Sequence, residues 1–97
     1  MKTVTIQIGN TDNKLTQQDW AQFCLDVHNA ILPRAKAIHF HGTPPGNVSW
    51  QNAAWVFEIE EAPLAALREN LAMEAKLYRQ DSIALTVGTT EFIGPAA

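Results

Sequence analysis

Four short segments of the chain alternate between hydrophobic and polar residues, the pattern of β-strands that bury one face. Their apolar positions, which we expect to face the core, are Val4, Ile6 and Ile8, then Ile38 and Phe40, then Trp55, Phe57 and Ile59, and finally Ile83, Leu85 and Val87. The same alternation assigns to an open face of the sheet the residues Thr5, Gln7, His39, His41, Val56, Glu58, Glu60, Ala84 and Thr86. The sequence therefore predicts a sheet with one buried and one polar face.

Two further segments carry apolar residues at the spacing of amphipathic helices. Thr16, with Asp19 three residues later, forms a capping-box-like start of the first helix, and Pro33 ends it because proline cannot continue the backbone hydrogen-bond ladder. Pro63 suits the first position of the second helix. The buried stripes are expected to be Trp20, Phe23, Cys24, Val27 and Ile31 in the first helix and Leu64, Leu67, Leu71, Ala75 and Tyr78 in the second.

The order of these elements, strand, helix, strand, strand, helix, strand, is that of the α+β ferredoxin-like fold, βαββαβ. We expect one four-stranded antiparallel sheet in the order 4-1-3-2, with both helices on one face, in a single domain that spans residues 1–97. A doubly wound parallel sheet does not fit, because its strands are apolar on both faces.

The composition is typical of a globular domain and weighs against a nucleic-acid-binding protein. The chain of 97 residues is 46% hydrophobic and 18% charged, with seven basic and ten acidic residues and a net charge of −3. Nucleic-acid-binding domains normally carry a basic surface. Readers of single-stranded RNA with this topology also stack bases on aromatic residues of the open face, where the alternation predicts none.

Cysteine usage and hydropathy bear on the cellular compartment. Cys24 is the only cysteine, which excludes an intramolecular disulfide and a cysteine-based zinc cluster and is typical of a cytoplasmic protein. The alternation that follows Lys2 predicts no secretory signal, and no segment reaches the roughly 18 apolar residues of a membrane-spanning helix. We expect no cofactor, since the chain has no glycine-rich phosphate loop of the required pattern.

In this topology three connections, residues 9–16, 42–53 and 79–81, meet at one end of the sheet, which we call the long-loop end. Long connections often carry function. Trp50 either folds back as a lid over the core edge, the commoner fate of tryptophan, or acts as a contact anchor. Arg79 either clamps an anionic group or pairs with an acidic neighbour. The polar residues expected around Trp50 are Asn10, Asp12, Asn13, Gln51, Asn52, Arg79 and Asp81.

A second candidate site lies on the open face. His39 and His41 are expected to project from that face about 6 to 7 Å apart, with Glu58 or Glu60 beside them. Two imidazoles and a carboxylate can hold a metal ion or act as general acid and base. The competing interpretation is a solvated face with ordinary cross-strand pairs, because His-x-His alone is a weak motif. His28, on the first helix, is expected to face solvent.

Three segments, IGNTDNKLTQQDW (residues 8–20), PPGNVSWQNAAWVFEI (44–59) and YRQDSIALTVGTTEFI (78–93), resemble a group of short uncharacterised proteins found among actinobacteria and their phages. Together they cover about half of the chain. The resemblance implies a phage or mobile-element origin, and such small proteins more often bind a host component than catalyse a reaction.

These observations favour a small cytoplasmic binding or accessory protein that grips a partner protein or a small ligand at the long-loop end. The alternative is a small enzyme or metal-binding protein that uses His39 and His41 with Glu58 or Glu60. Neither a membrane nor a nucleic acid is an expected partner. A homodimer can form through the open sheet face or an edge strand, and Phe92 and Ile93 either cover a sheet edge or extend it for a partner strand.

Overall fold

Four strands and two helices follow one another in the predicted order. The structure, a computed structural model, describes residues 1–10, 12–44 and 50–97. Thr11 and residues 45–49, the middle of the 42–53 connection, lie outside the described residues. The elements are β1 (Lys2–Gly9), α1 (Gln17–Ile31), β2 (Ala37–Gly42), β3 (Asn52–Ile59), α2 (Glu61–Leu77) and β4 (Ala84–Gly88).

The strands form one antiparallel sheet in the order β2-β3-β1-β4. This is the predicted order 4-1-3-2, and the ferredoxin-like fold is confirmed. The two central strands, β1 and β3, pair along their full length, whereas β2 and β4 are edge strands. Among the described residues, neither helix has the length and hydropathy that crossing a membrane requires.

Local sequence signals account for the helix ends. The Thr16 hydroxyl accepts a hydrogen bond from the backbone N–H of Asp19 (3.1 Å), and α1 ends before Pro33. The second helix begins at Glu61, two residues earlier than predicted. Pro63 fits inside its first turn because the N–H groups there have no partner within the helix, so proline's missing donor costs nothing.

The core lies between the helices and one face of the sheet. Its largest fully buried side chains come from β1, β3 and both helices, namely Val4, Ile6, Phe23, Val27, Ile31, Trp55, Phe57, Ile59, Leu64 and Leu67. The predicted core positions of β1 and β3 are therefore confirmed. On the edge strand β4, in contrast, Leu85 is only partly buried and Val87 is 38% exposed.

A β-bulge in β2 overturns part of the predicted alternation. Ile38 lies opposite Phe57, but Phe40 lies opposite Val56, so β2 has one more residue than β3 at this point. An additional residue inverts the alternation beyond it. The prediction that Phe40 faces the core and His41 the open face was wrong: Phe40 lies on the open face, 52% exposed, and His41 on the helix side.

The open face of the sheet can now be defined from the strand pairing. Glu60 does not belong to it, because this residue is the N-cap of α2. The open face consists of Thr3, Thr5 and Gln7 of β1, Ala37, His39, Phe40 and Gly42 of β2, Asn52, Ala54, Val56 and Glu58 of β3, and Ala84, Thr86 and Gly88 of β4.

Candidate functional site

The pairing brings three connections to the long-loop end, as predicted. The last residue of β1, Gly9, pairs with Asn52, the first residue of β3, and Ala84 at the start of β4 pairs with Gln7. Toward the other edge of the sheet, the last residue of β2, Gly42, pairs with Ala54 near the start of β3. The connections that join these strand ends therefore share one end of the molecule.

Asn10 ties the first connection to the third strand. It is 3% exposed, and its side-chain amide donates to the Leu15 carbonyl (3.1 Å) and to Gln51 Oε1 (2.9 Å). Its Oδ1 accepts from the Leu15 N–H (3.0 Å), and its own N–H donates to the Gln51 carbonyl (2.9 Å). Gln51 also exchanges two amide hydrogen bonds with Gln17. Asn10 and Gln51 thus position the loop, and the Gln51 amide is already engaged within the chain.

Lys14 ties the same connection to the turn before β4. Its ammonium donates to the Arg79 carbonyl (3.1 Å) and lies 3.4 Å from Asp12 Oδ2 and 3.8 Å from Asp81 Oδ1. The Lys14 N–H also donates to Asp12 Oδ1, and this bond is the main reason why the Asp12 carboxyl has a lowered pKa. Lys14 was not among the predicted site residues, although it is the only basic residue between Asp12 and α1 and could therefore have been identified as the partner of these acids.

Arg79 occupies a backbone conformation that favours glycine. Its φ is 54°, and the N–H groups of Arg79 and Gln80 donate to the Lys76 and Ala75 carbonyls, which closes α2 with a Schellman motif. The left-handed conformation costs an L-residue about 1 to 2 kcal/mol. Asn13, with φ 58°, is a second left-handed residue at this end, and asparagine tolerates that region better. Such strain often accompanies function.

Trp50 is 51% exposed, so the interpretation of Trp50 as a lid over the core was wrong. The other two tryptophans, Trp20 and Trp55, are 8% and 0% exposed. Trp50 directly precedes Gln51, whose backbone and side chain are held by Asn10. A large aromatic surface is therefore presented to solvent beside a fixed backbone.

Two concave surfaces adjoin this end. A pocket of about 290 Å³ is lined by Leu15, Asp19, Leu77, Tyr78 and Arg79. A longer groove of about 440 Å³ runs between α2 and β4, and its lining includes Leu71, Ala75, Asp81, Ile83 and Leu85. The first pocket combines apolar walls with one basic residue, Arg79, and one acidic residue, Asp19, so it can hold a small molecule that has an apolar part and polar groups of either charge.

The second candidate site is only partly assembled. His39 Nε2 and Glu58 Oε1 are 4.0 Å apart on the open face, but the bulge places His41 on the other face of the sheet. The structure thus does not bring His39, His41 and Glu58 together. Within residues 1–10, 12–44 and 50–97, no three His, Cys, Asp or Glu side chains are grouped in a way that could hold a metal ion.

His41 instead belongs to an aromatic stack on the helix side. Its ring lies between Trp55 (4.6 Å between centroids) and His28 (5.1 Å), and Trp55 Nε1 donates to His28 Nδ1 (3.2 Å). His28 is therefore packed against the sheet, contrary to the prediction that it faces solvent. Burial, and secondarily the charge of His28, lowers the pKa of His41.

The remaining perturbed titratable groups lie between or within the helices. The Tyr78 hydroxyl donates to Asp26 Oδ2 (2.5 Å), and burial, with Asp26 nearby, raises the pKa of Glu74. Burial also raises the pKa of the Cys24 thiol to about 11, which disfavours the reactive thiolate. The hydrogen bond between Tyr78 and Asp26 links the end of α2 to α1.

The comparisons with known proteins concern the fold. No protein-family model matches the chain, and no curated protein matches it. The chain is similar to a dimeric ferredoxin-like protein of unknown function from Thermobifida fusca, with a TM-score of 0.62 and 12% identity over 93% of this chain and 92% of that one. It is also similar to a DUF3240 family protein from Shewanella baltica, with a TM-score of 0.53 and 12% identity over 99% and 97% of the chains. Likeness at this identity shows the ferredoxin-like fold alone, and the actinobacterial or phage resemblance stays a prediction.

Proposed function

We propose that this chain is a small cytoplasmic binding protein that grips a partner protein or a small ligand at the long-loop end and acts as a homodimer. The observation that carries the proposal is Trp50, whose side chain is half exposed next to Gln51, a residue that Asn10 holds through side-chain and backbone hydrogen bonds. Tryptophan is strongly enriched among the residues that dominate binding energy. A backbone that is already fixed at Gln51 loses less conformational entropy there on association.

Arg79 supports the same site from the other side of the Asn10–Lys14 connection. Glycine would satisfy the Schellman motif without strain, so the arginine there carries a cost in stability. Arg79 lines the pocket of about 290 Å³ together with Asp19. There its guanidinium can pair with a carboxylate of the bound molecule while Asp19 accepts from a hydrogen-bond donor of that molecule. Asp12, Asn13, Asn52 and Asp81 provide the polar rim.

Two further parts of the proposal come from likeness. The Thermobifida fusca protein is described as dimeric, and a homodimer of this chain is proposed by analogy with it. The sequence resemblance to actinobacterial and phage proteins favours a phage or mobile-element protein whose partner is a host component.

The test compares wild type with Trp50→Ala, Trp50→Phe and, as a control, Met73→Ala, since Met73 is an exposed apolar residue of α2. Each is used as bait in actinobacterial lysate, and any protein captured by wild type is purified and titrated. We expect Trp50→Ala to weaken binding at least about tenfold, Trp50→Phe to retain part of it, and Met73→Ala to match wild type, with melting temperatures within a few degrees. A partner that binds Trp50→Ala as tightly as wild type would refute the site.

A further inference from the structure

The open face has the composition of an interface. Among its residues only Glu58 carries a formal charge at neutral pH, and the others are small, β-branched, amide, histidine or phenylalanine side chains. Charged residues are depleted in the cores of protein interfaces, whereas solvated strand faces normally display them. Glu58 itself has a buried carboxylate oxygen, Oε2, with no hydrogen-bond partner.

Phe40 is fixed on this face although it is 52% exposed. Its ring atom Cζ lies 2.6 Å from the position that a Cβ on Gly42 would occupy, so the ring rests on the glycine backbone. A side chain at position 42 would displace it. The open face therefore presents an aromatic ring that packs on the backbone of Gly42 and leaves about half of its surface available to a partner.

The C-terminal tail, residues 89–97, continues beyond β4 without regular structure and is exposed throughout. Phe92 and Ile93 are 85% and 88% exposed, so in the single chain they cover no sheet edge. The hydroxyl of Thr90 is hydrogen-bonded to that of Thr3, a residue of the open face. The base of the tail is thus attached beside the open face, and the two apolar residues start from there.

The area of the open face can be compared with the area that stable dimers bury. Four strands at about 4.8 Å spacing and about six residues long give a planar footprint of roughly 400 Å² per copy. Stable interfaces bury about 800 Å² of accessible surface per partner, a value larger than this planar footprint, and the exposed tail adds apolar surface to the face. Two sheets pack about 10 Å apart, and Ile93, three residues beyond Thr90, reaches about 10 Å from it in an extended chain. In a two-fold arrangement each tail can therefore cross to the other copy.

We propose that the open face and the C-terminal tail bind a second copy of this chain, so that the two sheets pack face to face and Phe92 and Ile93 of each tail pack against the other copy. This inference rests on the homodimer in the proposed function and names its surface. A second copy fits because a two-fold interface sets the same surface against itself, and a face with one charged residue brings few like charges together. An edge-to-edge dimer through β4 would leave Phe40, on the opposite edge strand, uncovered.

The test is sedimentation equilibrium of wild type and three variants with exposed sites: Phe92→Ser/Ile93→Ser in the tail, Thr86→Lys on the open face, and Met73→Ser on α2 as control. We expect wild type at twice 10.7 kDa. The tail and Thr86→Lys variants should each raise the dimer dissociation constant at least about 100-fold, because four apolar side chains or two opposed lysines are affected per dimer. Met73→Ser should match wild type.

The outcomes separate this surface from the homodimer itself. A wild type that remains monomeric at roughly millimolar concentration overturns both. A dimer that the tail and Thr86→Lys variants leave intact overturns this surface but not the homodimer. Dissociation by Thr86→Lys alone keeps the open face and overturns the role of the tail. Circular dichroism melting of each variant shows that any dissociation does not come from unfolding.

Discussion

Replacing Asn10 by alanine tests whether one buried amide holds the long-loop end together. The substitution removes one acceptor and two donated hydrogen bonds, and it leaves the Leu15 N–H and carbonyl without their partner. Leu15 is 3% exposed, so water reaches these groups poorly. The Gln51 amide keeps its bonds to Gln17, which reduces the loss on that side.

The expected loss follows from the groups left unpaired. A buried donor or acceptor without a partner costs about 1 to 3 kcal/mol, so two such groups on Leu15 predict a loss of about 2 to 6 kcal/mol in the free energy of unfolding. For a domain of this size each kcal/mol lowers the melting temperature by about 4 to 8 °C, so even a loss of about 2 kcal/mol lowers it by about 8 to 16 °C. This is a large fraction of the 5 to 15 kcal/mol that typical domains have.

Urea unfolding followed by circular dichroism measures the effect, with Asn29→Ala as the matched control. Asn29 is exposed on α1, and alanine there should change stability by less than about 0.5 kcal/mol. Asn10→Asp is the sharper variant: it keeps the acceptor for the Leu15 N–H but sets a carboxylate against the Leu15 carbonyl and Gln51 Oε1. It should be at least as unstable at pH 7 and recover partly in acid. If Asn10→Ala lowers the free energy of unfolding by less than about 1 kcal/mol, the hydrogen bonds of Asn10 do not hold this end of the molecule together.

Three further predictions concern strain and titration. Arg79→Gly should raise the free energy of unfolding by about 0.5 to 1 kcal/mol while weakening partner binding; lower stability would show that the left-handed backbone is not strained. Glu74→Gln should stabilise the fold at pH 7. Because the pKa of Glu74 is raised in the folded state, its charged form destabilises the fold at pH 7, and wild type gains stability as the pH falls toward 4.5 and the carboxyl is protonated. Equal urea midpoints of the variant and wild type at pH 7 would contradict this. The lowered pKa of His41 predicts that stability falls as the pH drops below about 6.5. His41→Phe preserves the stack on Trp55 and should reduce this loss of stability in thermal melts between pH 7 and 5. A variant with the same pH profile as wild type would contradict the prediction.

The fold and the position of the candidate site followed from local patterns. Alternation identified the core residues of β1 and β3, and the spacing after Thr16 identified α1. The order of elements then placed three connections at one end. Each of these signals depends on residues a few positions apart, where backbone geometry alone decides which side chains share a face.

The internal contacts of the site were not predictable in this way. Asn10 and Gln51 are 41 residues apart, and Lys14 and Arg79 are 65 apart. Such pairs form only when strand pairing brings two connections together, and several polar residues at that end were equally plausible partners. Composition therefore indicated a polar rim, but not which of its members would be engaged within the chain.

The sequence by itself determined the elements, their order and most of the core, because hydrophobic periodicity reports directly which face of a helix or strand is buried. Only the tertiary structure decided the faces of Phe40 and His41 and the exposure of Trp50. A bulge is defined by the pairing of a strand with its neighbour. With or without the bulge, Ile38 faces the core, so the sequence of β2 alone does not show that the residues after Ile38 change faces. The surroundings of Trp50 depend likewise on Asn10, a distant residue that fixes the backbone next to it.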